Sequence, residues 1–180
     1  SFCPGSEVSR WQMAVFLARS LHPGPLPTSG TVPGVGDYSC APGGVSLFVD
    51  VAPTDPGCKA IHFVAAQGVT TGCGGGAFCP EDSVSRAQMA VFLARALVGD
   101  AVPVSGTVPG MGPYLCQQGG ASVFADVLPT DQVCHHVHYI ASRQITLGCG
   151  GGNFCPQTLV SRDQMAVFLA KTFAVALYGP

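Results

Sequence analysis

Charge is scarce in this chain. Only 10% of its 180 residues are Asp, Glu, Lys or Arg, against about 25% in an average soluble domain. The basic residues number 8 and the acidic ones 10, for a formal net charge of −2. No basic stripe is available for phosphate contacts, which excludes an electrostatic nucleic-acid binder. Long apolar runs are missing as well. No stretch approaches the roughly 18 apolar residues of a membrane span, and the run Met89–Ala94 is followed directly by Arg95. Asparagine occurs once, and Asn153 precedes Phe154-Cys155, so it is no N-glycosylation acceptor. Disorder is excluded from the other side, because 47% of the chain is hydrophobic. At 18.4 kDa the chain suffices for one or two small domains.

Turn-forming residues and cysteine are plentiful, with 24 Gly, 15 Pro and 9 Cys. Regularly placed cysteines at that density point to a secreted, disulfide-bonded protein. The chain starts at Ser1, consistent with a processed or excised segment. Shifting the sequence by 76 residues superimposes it on itself. Ser9–Ala18 recurs at Ser85–Ala94 and Ser161–Ala170, with only the residue after Arg changing. The cysteines keep the same register: Cys3, Cys79 and Cys155, then Cys73 with Cys149, Cys58 with Cys134, and Cys40 with Cys116. The chain divides accordingly into the back half of a first repeat (1–22), an inter-repeat loop (23–46), a second repeat (47–98), a further loop (99–122), a third repeat (123–174) and a tail (175–180).

Each full repeat reads as two helices around a glycine-rich loop. In the middle copy Asp55-Pro56 offers an N-cap and a first helical residue, Ile61, Val64 and Ala65 have helical spacing, and Gly68 supplies a stop. After the loop at 71–80, Ser85 and Gln88 make a capping box. The second helices, Ser9–Leu21, Ser85–Leu97 and Ser161–Phe173, are apolar on almost every face, a pattern that predicts packing on several sides. The Pro/Gly-rich inter-repeat segments read as ordered loops pinned by cysteine, with room for a short strand.

The order Phe48-x-Asp50-Val51, a short helix, Gly68-Val69-Thr70-x-Gly72, Phe78-x-Pro80 and Val84-Ser85-Arg86-x-Gln88-Met89-Ala90-x-Phe92-Leu93 resembles the S-layer homology motif. Phe124-x-Asp126-Val127, Ile145-Thr146-x-Gly148, Phe154-x-Pro156 and Val160-Ser161-Arg162 repeat it. The resemblance implies an extracellular, non-catalytic cell-surface module that attaches to cell-wall polysaccharide. It also implies a mainly α fold, with tandem helix-loop-helix repeats in a pseudo-threefold bundle, to which the cysteines of this chain add long disulfide-pinned loops between the repeats. Three features depart from the family pattern: Ser-Arg-x-Gln stands for Thr-Arg-Ala-Glu, the motif carries a cysteine clamp, and Lys59-Ala60 and His135-His136 stand where the family often has an aromatic early in the first helix. A second class of function is a structural subunit that assembles with copies of itself into a surface layer or filament, which the low charge suits.

Arg10, Arg86 and Arg162 stand in the first turn of the second helices, where a cation opposes the helix dipole by about 0.3–1 kcal/mol. Three such placements call for a partner. One reading is an anion or glycan site in which guanidinium and free helix amides grip a carboxylate. The other is an internal ion pair with Asp50, Asp126 or another loop carboxylate. Cys73 with Cys79 and Cys149 with Cys155 are spaced to close the glycine loops as disulfides, and Cys40 with Cys58 and Cys116 with Cys134 would then pin the long loops. Other connectivities remain open. Cys3 has no counterpart of Cys73 before it, so it is expected to be unpaired or paired outside the chain, the gap in the first repeat being filled by upstream residues or by a neighbouring subunit. His135, His136 and His138 beside Cys134 suggest a metal cluster, but only His138 recurs, as His62, which points to packing or a hydrogen bond. No metal or cofactor is expected. No nucleophile triad or paired carboxylates stand out from the repeat, so no enzyme activity is expected.

Overall fold

The structure, a computed structural model, describes residues 3–174. Five helices alternate with two β-hairpins: α1 (Arg10–Leu21), β1 (Ser29–Val32), β2 (Gly36–Ser39), α2 (Cys58–Ala66), α3 (Arg86–Val98), β3 (Ser105–Val108), β4 (Gly112–Leu115), α4 (Cys134–Ser142) and α5 (Arg162–Thr172). The chain forms two compact units, Val8–Val84 and the residues on either side of it. In the first unit α1 packs on α2, and α2 on β1; in the second α3 packs on α4, and α4 on β3.

Local chemistry accounts for the element ends. At the start of α3 the Gln88 N–H donates to Ser85 Oγ (3.3 Å), and the Ser85 N–H donates to Gln88 Oε1 (3.0 Å). In the hairpin β1–β2, Pro33-Gly34 occupies the centre of a turn closed by Val35 N–H to Val32 O (3.0 Å). Gly34 has φ +74°, as the third position of a type II turn requires. The same Pro-Gly pair turns β3 into β4, with Met111 N–H donating to Val108 O (3.0 Å).

Four expectations are corrected. Among the described residues the protein is not plainly mainly α: 31% is helical and 15% is strand or isolated bridge, with two small antiparallel sheets. The segments read as long loops are hairpins, with Ser29 opposite Ser39 and Ser105 opposite Leu115. Their strands of four residues, broken by Gly and Pro, carry too little alternation to be seen in sequence. No pseudo-threefold bundle is shown among the described residues. A second helix packs on the first helix of the repeat that follows, α1 on α2 and α3 on α4. The third, α5, buries Met165, Phe168 and Ala170 while Ala166 and Val167 stay exposed among the described residues. An apolar run on a short alanine-containing helix therefore did not mean burial all round. Finally, α2 and α4 start at Cys58 and Cys134, three residues beyond Asp55 and Asp131. Those aspartates close the preceding turns instead, accepting from Ala52 N–H (2.7 Å) and Leu128 N–H (2.8 Å).

Candidate functional site

The glycine-rich loop of each unit is held by one aspartate and one arginine acting on the same phenylalanine. In Val8–Val84, Asp50 accepts from Phe78 N–H (2.8 Å) and Cys79 N–H (2.7 Å), while Arg10 Nε donates to Phe78 O (2.7 Å). In the other unit Asp126 accepts from Phe154 N–H (2.7 Å) and Cys155 N–H (2.7 Å), and Arg86 Nε donates to Phe154 O (2.8 Å). Each guanidinium also lies 4.9 Å from the ring centroid of its phenylalanine, a cation–π contact. Arginine and aspartate thus meet around one peptide, which satisfies both of its polar groups. Burial lowers the pKa of both arginines, and the nearby acids oppose that shift: Asp82 and Asp50 for Arg10, Asp126 for Arg86. Arg162 is only half-buried at the start of α5, but its main chain is held as in the other copies: its N–H donates to Ser6 O (2.9 Å), as that of Arg10 does to Asp82 O (2.9 Å) and that of Arg86 to Thr158 O (2.8 Å).

Beside Arg86 lies an open groove of about 330 Å³. Arg86 and Phe168 line it with Thr146, Leu147, Gln164, Val167, Asp163 and Lys171, and Arg86 Nη2 reaches Thr146 Oγ1 at 3.5 Å. Among the described residues no carboxylate comes within ion-pair distance of Arg86. Gly148 keeps the groove wall thin: with φ +93°, a Cβ there would collide with Asn153 O and stand 3.0 Å from the Phe124 ring. Sequence reasoning named Arg86 but not Lys171, Leu147 or Val167. The only signal of Val167 and Lys171 is helical spacing from Gln164 on α5, and Leu147, in the loop before Gly148, carries none.

The cysteines pair as Cys40–Cys58, Cys73–Cys79, Cys116–Cys134 and Cys149–Cys155, and Cys3 is exposed with no disulfide. Cys40, Cys58 and His62 cluster closely enough to suggest a metal, as do Cys116, Cys134 and His138. The chemistry does not fit one. The sulfurs are in disulfides, and both ring nitrogens of each histidine are engaged. His62 Nδ1 lies 2.9 Å from Cys58 O, while Nε2 accepts from Leu47 N–H (3.0 Å); His138 repeats this with Cys134 O (2.8 Å) and Val123 N–H (3.1 Å). Tyr38 stacks on His62 at 4.7 Å and Tyr114 on His138 at 4.9 Å, locking each hairpin to its helix.

These histidines are neutral in the folded state, since a proton on Nε2 would break the bond from Leu47 or Val123. Burial lowers the pKa of both. Burial, with His135 and then Arg95 adding repulsion, lowers His136 from 6.5 to about 4. The unfolded chain therefore binds more protons than the folded one below pH 6.5. Stability from these groups is fully present above that pH and is lost as pH falls from about 6.5 towards about 4. Urea midpoints measured across that window should fall with pH, and His136→Gln should flatten the fall. A midpoint constant from pH 7 to 4 would contradict the buried neutral histidines.

Together these features define a small disulfide-stapled module whose polar groups brace loops and line an open groove. Residues 47–90 match the family model of the S-layer homology domain, and the chain around that segment holds four disulfides. A search of curated proteins finds no match to the chain. S-layer homology domains are non-catalytic cell-surface anchoring modules that bind cell-wall polysaccharide. No helix among the described residues is long and apolar enough to cross a membrane.

Proposed function

We propose that this protein is a non-catalytic extracellular module that attaches to cell-surface polysaccharide, and that the Arg86 groove contacts a carboxylate-bearing sugar. The observation that carries this reading is a buried guanidinium lining an open groove, with no carboxylate among the described residues in ion-pair reach and with Lys171 in the same lining. An anion entering there gains a desolvated cation, a second cation, and the apolar surface of Leu147 and Val167 for a sugar ring. The 76-residue repeat extends the matched segment's residues to Phe124–Arg162 and so to this groove. The proposed contacts in the other copies are Arg10 and, at the start of α5, Arg162; Asp50 and Asp126 act by holding the loops from which Arg10 and Arg86 take their carbonyl partners.

The test is co-sedimentation with a carboxylate-bearing cell-wall polysaccharide and with the same material after carboxyl reduction. Lys171→Glu should weaken binding at least fivefold, on the order of the 1 kcal/mol of an exposed ion pair. Asp163→Asn, which removes a negative charge from the groove, should strengthen it. Equal binding of the reduced polysaccharide would overturn the reading.

Self-assembly is a second reading, favoured by exposed apolar side chains such as Val49 (83%), Val35 (67%) and Leu128 (60%) on a weakly charged chain. Ordered sheets or fibres of the purified chain in electron micrographs would support it.

A further inference from the structure

A second groove, of about 480 Å³, lies in the Val8–Val84 unit and is lined by different residues. Trp11, one residue into α1, forms part of its wall, and its main-chain N–H is anchored on Pro80 O (3.0 Å). The indole packs against Gly57, where a Cβ would stand 3.6 Å from Trp11 Cβ and 3.7 Å from Cε3. The charged residues of the lining are Asp50, Asp55 and Glu81, with no Lys, Arg or His among them.

The groove is particular to this copy. At the positions 76 residues later Trp11 becomes Ala87, Gly57 becomes Val133 and Glu81 becomes Gln157. Asp50 and Asp55, which hold turns and loops, recur as Asp126 and Asp131. What the repeated architecture needs is kept, whereas the aromatic wall and the extra acid are not among its needs.

We infer that the Trp11 groove is a binding site for a saccharide carrying a free, protonated amino group. Trp presents the best aromatic face for a cation. The charged side chains are acceptor-only carboxylates, which match a ligand that offers N–H and O–H donors. Asp50 already accepts two N–H bonds and Asp55 one, so Glu81 and the remaining Asp55 oxygen are the acceptors open to a ligand. An N-acetylated sugar loses the cation and adds a carbonyl for which these side chains hold no donor beyond the indole N–H. Carboxylates from two segments suit a ring with several donors better than the single cation of a lysine side chain. The inference stands apart from the Arg86 groove, whose failure would leave it intact.

Trp11 is the only tryptophan of the chain, so its fluorescence reports this groove alone. Titration of the intact, disulfide-bonded protein with a glucosamine tetramer at pH 6 should change that emission saturably. The change should weaken with added salt and be about three- to fivefold weaker in Glu81→Gln, whose exposed side chain leaves the fold undisturbed. The N-acetylglucosamine tetramer should give at least tenfold weaker binding. No saturable change, an equal response to the acetylated tetramer, an unaltered Glu81→Gln titration, or tighter binding of tetralysine would each overturn the assignment, the last by making the groove a peptide site.

Discussion

Replacing Phe154 with alanine is expected to destabilise the protein by about 3–5 kcal/mol, the range for deleting a fully buried aromatic ring. Phe154 has no exposed surface, its ring tilts against Phe124 at 5.5 Å, and the Arg86 guanidinium stands 4.9 Å from its centroid. Truncation opens a cavity between these groups and leaves the guanidinium facing it. The main-chain bonds to Asp126 and Arg86 do not need the ring, so the loss reads its packing rather than the loop clamp. Phe154→Leu, which keeps much of the volume, should cost less than half as much. Urea unfolding with the disulfides intact measures both. A loss below about 1 kcal/mol for the alanine variant would contradict the burial of the ring.

Removing Cys116–Cys134 by paired serine substitution should cost about 3 kcal/mol, and removing Cys149–Cys155 about 2 kcal/mol, because chain entropy released in the unfolded state grows with loop length. The sequence separations are 18 and 6. The larger loop also joins the end of β4 to the start of α4, beside His138, so its removal frees the hairpin from the helix it packs on. Thermal or urea unfolding of the two double variants gives the order. If the shorter loop proved the costlier to lose, closure entropy would not govern these cross-links.

The capping boxes, the Gly68 stop and the register of the cysteines were legible in the sequence because each is local or repeated. A serine and a glutamine three residues apart can bond only to each other's main chain at a helix start. The placement of Asp50 and Arg10 around Phe78 was not legible, although all three were singled out. They lie 28 and 68 residues from that phenylalanine, and no spacing rule links an acid to the N–H and a base to the C=O of one distant peptide. The hairpins escaped for a different reason. Each strand has four residues with one buried, too few to show a period, and the Pro-Gly turn reads equally well as plain loop.

Residue chemistry alone therefore determined a repeated, cysteine-rich, weakly charged chain with capped apolar helices and the residues of the S-layer homology motif. Those are properties of neighbours in sequence, and short-range bonding enforces them. The tertiary structure decided that helices pair across repeat boundaries, that Arg86 borders an open groove with Lys171, and that Trp11 faces acids drawn from two segments. Each depends on which surfaces meet after burial, and burial energy rewards total apolar area without specifying the partner. The partner is chosen by shape, as where Gly148 lets the Phe124 ring approach, and shape exists only once the chain has folded.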